Sequence, residues 1–445
     1  MKTVFKLFML FFSVATFAQV GHLMQGIGAV NMSMGGASTA QPLDINGALH
    51  WNPAAISKFE GKILSFNAGT FFSAPELSSS LPAGMLGPGA PGVSGTTKDD
   101  KGISIMPALA YVWSKPESKH TYGISAFGIS GFGVTFPEEA NNPLSATFNP
   151  MINSNPINYP QAARGFGILR SEYMLLQVGF TYAYEISKKV SIGFSPTFNY
   201  ANLQLGPNPT ANPSMAGYPY TDKTPSFGYG GQIGIYYQGD SGLKLGANYK
   251  SPQYFTDFDF ENTYLDGAKN ENSFNMDYPA IYSLGAGYSN NNFDFALDFR
   301  HVEYSNTAGF DQFGWTQFGS VKGFGWEDIQ ILSMGIQYKG INKLPLRIGY
   351  TYSSNPIKPE LAFFSTPATA IIKNAYQFGF GYELNDKLTL NAVYHHGESG
   401  DATSGPMYNP MMASPTNPLG AIPGSNVAYT MTTDLIMAGF SYKLN

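Results

Sequence analysis

Catalysis has few candidate residues in this chain. The six histidines, His22, His50, His120, His301, His395 and His396, form no convincing arrangement with a nucleophile. His395 and His396 are adjacent in an alternating segment, so their rings point to opposite faces and cannot readily share a metal. Cysteine is absent, which removes disulfides, zinc-thiolate sites and thiol nucleophiles. Gly26-x-Gly28 lacks the third glycine and the strand-to-helix setting of a nucleotide loop, and reads instead as a flexible point. The expectation is a protein that is not an enzyme and carries no cofactor or metal. A lipid hydrolase built on a barrel wall stays as an alternative, since Ser, His and Asn or Asp are too common in such walls to decide it. A net charge of −5, with Lys and Arg scattered singly, offers no basic field for nucleic acid.

The elements that would position any site are strands. Leu176, Val178, Phe180, Tyr182, Tyr184 and Ile186 alternate with Gln177, Gly179, Thr181, Ala183 and Glu185. After Ser187-Lys188-Lys189 the alternation restarts, with Val190, Ile192, Phe194, Phe198 and Tyr200 on one face and Ser191, Gly193, Ser195, Thr197 and Asn199 on the other. Strands of about ten residues, apolar on one side and small or polar on the other, suit lipid outside and water inside. The 445 residues include 50 glycines, 15% aromatics and only 12% charged side chains. Beyond the first twenty residues no apolar run is long enough for a spanning helix, so only a closed barrel could cross a bilayer.

The pattern predicts fourteen strands, at 62–72, 103–113, 120–134, 172–186, 190–204, 226–238, 242–260, 280–288, 292–303, 327–338, 344–353, 375–384, 387–396 and 432–443. Short turns such as Gly239-Asp240-Ser241-Gly242 alternate with long Pro/Gly/Asn-rich connections, the rhythm of an outer-membrane barrel with long loops outside. Trp113, Tyr184, Tyr237, Tyr288, Tyr338, Tyr382 and Tyr442 fall beside the short turns, and Tyr200, Tyr249, Tyr352 and Tyr394 at the opposite ends, as two interfacial belts require. A soluble sandwich or propeller would alternate too, but would not explain that rhythm or a polar face rich in Gly, Ser and Thr.

The N-terminus reads as a secretory signal over 1–18: Lys2 and Lys6, an apolar stretch from Leu7 to Phe17, and a small-residue cleavage site ending at Ala18. Residues 19–60 do not alternate and carry Gly26, Gly28, Gly35, Gly36 and Gly47, a composition that would let the segment fold back into the lumen as a plug. The barrel would then occupy 61–445.

Two stretches of that segment, Gly28-Ala29-Val30-Asn31-Met32-Ser33-Met34-Gly35-Gly36-Ala37 and Ala48-Leu49-His50-Trp51-Asn52-Pro53-Ala54-Ala55, closely resemble the plug of FadL-type outer-membrane long-chain fatty-acid and hydrocarbon transporters. Asn52-Pro53-Ala54 matches that family's hallmark triplet. Weaker similarities are Leu346 to Tyr352 before Asn355-Pro356, and Trp326-Glu327-Asp328 leading into a strand that ends Met334 to Tyr338. The resemblance runs from Gly21 to the C-terminus. It implies a fourteen-stranded barrel with a luminal hatch, the number that alternation gives independently.

It also implies an uptake route: capture of a fatty acid or hydrocarbon by external loops, passage past the hatch, and release through a wall gap at an inward kink of the third strand into outer-membrane lipid. Phe127-Gly128-Ile129-Ser130-Gly131-Phe132-Gly133 is the matching stretch, and Gly128, Gly131 and Gly133 would weaken its ladder. Leu361-Ala362-Phe363-Phe364 and the segment holding Met411 and Met412 are the candidate capture surfaces. Arg300 and Arg347 face the lumen by alternation and are the candidate partners of a ligand carboxylate, with Asp294 and Asp298 as competing partners. The family's basic residue near the outer end of the fifth strand is matched here by Asn202, which leaves neutral aromatic hydrocarbons open as cargo. The resembling fold also includes a protein-binding barrel of the type IX secretion system, the alternative from a different class. A monomer is expected.

Overall fold

Fourteen antiparallel strands close on themselves in a computed structural model that describes residues 22–444. The expected signal, and Gln19 to Gly21, lie outside the described residues. The strands are β1 (Lys62–Leu81), β2 (Ile103–Ser114), β3 (His120–Phe136), β4 (Leu169–Ser187), β5 (Val190–Gly206), β6 (Thr224–Gln238), β7 (Leu243–Lys250), β8 (Ala280–Ser289), β9 (Phe293–Glu303), β10 (Ile329–Tyr338), β11 (Leu346–Ser353), β12 (Asn374–Glu383), β13 (Leu388–Glu398) and β14 (Asn426–Leu444). Each pairs with the next, and β1 closes the cylinder against β14 from Lys62 opposite Leu444 to Ser80 opposite Asn426. Closure matters because hydrocarbon offers no hydrogen bonds to an open sheet edge.

Alternation sorts the two faces as expected. Phe180, Ile192, Phe194, Ile233, Leu284 and Phe378 stand exposed on the outer wall, while Thr181, Ser191, Ser195, Gln232, Ser283 and Gln377 are buried inside. Tyr111, Trp113, Tyr122 and Tyr182 stack in a chain of ring contacts 5.3–5.5 Å apart beside the short turn between β2 and β3.

One predicted strand is wrong in extent. The 242–260 segment stops at Lys250, because Pro252 cannot donate to a ladder. Tyr254 and Phe255 then pair back onto β6, and Phe258–Thr263 joins Lys269–Phe274 and Tyr220–Thr221 in a small separate sheet over the mouth. Conversely, β1 and β14 run well past their expected ends, and the outer part of β1 pairs with a strand at Val93–Lys98.

Residues 22–60 lie inside the barrel. They form two short helices, α1 (Gly28–Ser33) and α2 (Ile45–Trp51), and a 3-10 turn at Pro53–Lys58. Asp44 caps α2 by accepting from Gly47 N at 3.1 Å.

Leu284 sits mid-strand on the lipid face and is 61% exposed. Leu284→Arg is expected to lower barrel stability by about 2–4 kcal/mol in a denaturant titration in phospholipid vesicles.

Candidate functional site

The plug is held by bare backbone on the wall. A Cβ built on Gly193 would lie 2.3 Å from Ala54 N, and one on its ladder partner Gly234 would lie 2.1 Å from Asn52 Oδ1. Asn52-Pro53-Ala54 therefore seats where β5 and β6 present no side chains. Asn52 donates to Thr39 O at 2.7 Å and to Ile235 O at 3.0 Å, and its Oδ1 accepts from Ala54 N at 3.1 Å. Gly335 and Gly349, paired across β10 and β11, make a second seat: a Cβ there would meet Met34 O at 2.6 Å and Gly35 N at 2.1 Å. Gly35 (φ +66°) and Gly36 (φ +76°) adopt the left-handed backbone, and a side chain on Gly36 would collide with Gln25 O at 1.8 Å.

Two arginines were expected to face the lumen, and both do. Arg300 is committed to the plug: Nη2 donates to Gly36 O at 2.7 Å and to Asp298 Oδ2 at 2.6 Å, Nη1 donates to Ser333 at 3.0 Å, and the guanidinium lies 3.6 Å from the Trp51 ring centroid. Asp298 Oδ2 also accepts from the backbone N–H groups of Ser38 and Thr39 and from the Thr39 hydroxyl. Arg347 donates to Gln337 at 2.7 Å and to Asn391 at 3.1 Å. Asp294 is taken by Lys339 and Gln337.

The third strand departs from a regular ladder where the glycines predict. Its register against β4 shifts between Gly128 and Ser130, leaving Ile129 as a bulge. Its pairing with β2 ends at Ala108 opposite Phe127, although β2 continues outward to Ile103 against β1. Other segments take over beyond that point. Met24 N donates to Ile129 O at 3.0 Å, Gly131 N donates to His22 O at 3.1 Å, and further out Asp100 N donates to Thr135 O at 2.8 Å. The result is a framed interruption in the wall, with the start of the plug laid across it. Lys101 packs over Gly133, where a Cβ would come within 2.6 Å of its Cε.

His22 belongs to this arrangement, and nothing in its sequence context marked it. Its ring stacks on Phe310 at 4.9 Å and is ringed by Tyr304, Tyr278, Trp326 and Tyr173 at 5.4–6.0 Å. Its Nδ1 meets the Tyr304 hydroxyl at 2.8 Å. Phe132, just past the bulge in β3, joins the nest through Tyr173 at 5.1 Å. Burial pulls the His22 imidazole down to about 3 from its ordinary 6.5.

The candidate capture residues divide. Leu361, Phe363 and Phe364, in a 3-10 turn at Pro359–Ser365, are buried instead of forming an exposed apolar surface. Phe363 and Phe364 pack on Tyr408 at 5.8 and 5.3 Å, and with Trp315 and Tyr218 they line a cleft of only about 30 Å³. Loop self-packing wins because several apolar loops meet over the mouth. Met411 and Met412 remain outside, at 90% and 37% exposure. His395 is buried beside Gln377 while His396 faces Asp434 on the other side of the wall, so the two rings point apart.

A closed barrel with lipid-facing apolar strands, long loops at one end and a luminal N-terminal plug defines an outer-membrane β-barrel of the plugged transport type. A profile of the outer membrane protein transport protein family (OMPP1/FadL/TodX) matches residues 157–405, more than half of the chain, which therefore belongs to that family. Its fold is similar to that of the Pseudomonas putida toluene transporter TodX (18% identity, TM-score 0.64, covering 95% of this chain and 99% of that one). A Pseudomonas aeruginosa FadL homologue gives 14% identity and a TM-score of 0.70 over 96% and 100% of the two chains. The Ralstonia pickettii toluene transporter TbuX gives 15% and 0.63 over 95% and 99%. No curated protein matches the sequence.

Two outcomes follow for the plug. Asp298→Ala leaves Arg300 buried without its partner and is expected to cost about 3–5 kcal/mol of plug docking, read as a rise in single-channel conductance and faster protease cleavage within 22–60. Because the docked His22 is neutral, its contribution is complete above pH 6.5 and is lost as pH falls from 6.5 toward about 3. Hydrogen exchange at the Met24 and Gly131 amides is therefore expected to be faster at pH 4.5 than at pH 7.5 after correction for the intrinsic rate.

Proposed function

We propose that this protein is a passive outer-membrane channel for hydrophobic compounds, with long-chain fatty acids as cargo and lateral release through the wall at β3. The observation that carries the reading is the framed interruption between β2 and β3. Ile103 and Ile105 face lipid on one side of it, and Phe127, Ile129 and Phe132 face the interior on the other. An apolar chain leaving there moves from one greasy surface to another and never enters the aqueous periplasm. Each methylene that reaches lipid contributes about 0.8 kcal/mol, so a concentration gradient suffices as the driving force.

In this reading the plug segment 22–24 is the obstacle. Cargo must supply enough differential affinity for the opened state to offset the segment's hydrogen bonds to Ile129, Ser130 and Gly131, each worth about 0.5–1.5 kcal/mol net, and the burial of His22, Leu23 and Met24. Met411 and Met412 offer adaptable apolar contact for arriving cargo. The plug itself is the segment 19–60 inferred from composition, and its seat on Gly193, Gly234, Gly335 and Gly349 keeps the lumen shut when cargo is absent.

Monoaromatic hydrocarbons are the second reading. The ring nest around His22 favours them, and the printed descriptions of TodX and TbuX name toluene. The structural likeness carries fold alone, so the choice falls to transport. The test is uptake of labelled oleate and of toluene by cells lacking their own chromosomal copy and expressing this chain. Gly131→Leu is expected to lower uptake several-fold while cell-surface binding stays intact; unchanged uptake would sink the lateral route.

A further inference from the structure

Charge on the wall reverses sign across the membrane. The periplasmic ends of β1 to β5, residues 58–62, 114–120 and 185–190, hold six lysines and three carboxylates. The outer ends of the same strands, residues 76–102, 136–172 and 206–223, hold five basic residues and seven carboxylates. On the periplasmic side Lys58 is engaged by Glu185 at 3.0 Å and Lys189 by Asp240. Lys62, Lys115, Lys119 and Lys188 are exposed, and among the described residues no carboxylate lies within ion-pair distance of any of them. Glu60 and Glu117 are exposed on the same rim and equally unpaired, so a surplus of positive charge remains.

Above these lysines the lipid face carries a continuous ladder of rings. Tyr111 stacks on Trp113 at 5.3 Å, Trp113 on Tyr122 at 5.5 Å, and Tyr122 meets Tyr182 at 5.4 Å. His120 extends the ladder, 5.9 Å from Tyr182 and 5.2 Å from Tyr184, with its Nδ1 2.7 Å from the Tyr182 hydroxyl. Strand pairing fixes the row: Trp113 stands between Lys62 of β1 and Tyr122 of β3, and His120 stands opposite Tyr184 of β4. Rings with an apolar body and a polar tip settle at headgroup level. Lys115 and Lys119 belong to a connection of five residues and Lys188 to one of two, so their ammonium groups stay close to that level and meet lipid phosphates there. The ladder also lies on β2 and β3 beneath their parting at Ala108 and Phe127, which is five residues, or about 17 Å, along β2 from Trp113.

We propose that the periplasmic end of β1 to β5 is a docking surface for an anionic phospholipid of the inner leaflet, with its phosphate among Lys62, Lys115, Lys119 and Lys188, its ester region against the rings, and its acyl chains on the lipid face of β2 and β3. This lipid is one that the barrel holds against its wall, and its site is independent of what the channel carries. A phosphodiester matches the surplus, because it brings one negative charge and two unesterified oxygens that accept from ammonium donors. A zwitterionic lipid brings its own cation and gains less. An acidic protein would meet the same charge, but the ring ladder faces hydrocarbon, where no soluble partner reaches it. Leu109 and Ile124, each 40% exposed, lie between the ladder and the interruption and supply apolar contact for the chains. The docked lipid thereby places an acyl surface at the foot of the opening between β2 and β3.

The test uses full-length protein in dioleoylphosphatidylcholine vesicles, with phosphatidylglycerol or phosphatidylcholine brominated near the carboxyl end of the acyl chains as the probe. Trp113 is the tryptophan on the lipid face of the strands, since Trp51 lies in the plug and Trp315 and Trp326 in outer loops. Bromine quenching of its fluorescence, with Trp113→Phe as the blank, therefore reports lipid at the ladder. Wild type is expected to prefer phosphatidylglycerol about fivefold or more, and about 0.5 M NaCl to bring that preference close to one. Lys62→Gln, Lys115→Gln, Lys119→Gln and Lys188→Gln combined should remove the preference, and the four corresponding arginine replacements should retain it. Equal quenching by the two lipids in wild type, the result expected if an acidic protein were the partner of this face, overturns the docking surface. An undiminished preference in the glutamine variant overturns it as well. Should that variant fail to fold, salt titration of wild type decides: a preference lost with salt supports the surface, and one unchanged in about 0.5 M NaCl refutes it.

Discussion

A peptide group facing hydrocarbon has no water to turn to, and this demand for internal pairing organises the whole molecule. It forces β1 to close on β14, and it makes any break in the ladder conspicuous. Where β3 parts from β2, its backbone groups are taken up by His22 to Met24 from inside and by Asp100 further out. The break is therefore a substitution of one partner for another, and the substitute is the segment that leads into the plug. Wall and plug are coupled because the same hydrogen bonds serve both.

Inside the barrel the problem is reversed. The lumen is narrow and largely occupied, so small residues are selected on the inward face. Glycines bring wall backbone against plug backbone, and the polar groups of the plug find Asp298, Arg300 and main-chain carbonyls as fixed partners. Trp51 gathers both Arg300 and Lys250 around its ring.

Much of this was legible in the sequence. Period-two alternation located all fourteen strands, since solvent preference on the two faces leaves little freedom of register. The plug was legible because 19–60 lacks that alternation and carries Gly35-Gly36 and Asn52-Pro53-Ala54. The irregularity in β3 was reached through the family resemblance, with its closely spaced glycines as support, and appears as the register shift between Gly128 and Ser130. Strand ends were less so: Pro252 ends β7 early, and the long outer parts of β1 and β14 depend on partners far away in sequence, which no local pattern reports. The buried fate of Leu361, Phe363 and Phe364 was hidden for the same reason, as it depends on Trp315 and Tyr408 arriving from other loops. Lys250 and His22 look ordinary in a one-dimensional reading. A lysine at a strand end is usually solvated, and only the fold shows that this one points at the plug.

The seats at Gly193, Gly335 and Gly349 meet the plug main chain to main chain, and Gly234 meets the Asn52 side-chain amide. Grip of that kind depends on the wall carrying no side chain at those positions. Such a seat has no room for one added carbon, so a single methyl group at Gly193, Gly234 or Gly349 would push the stopper off the wall.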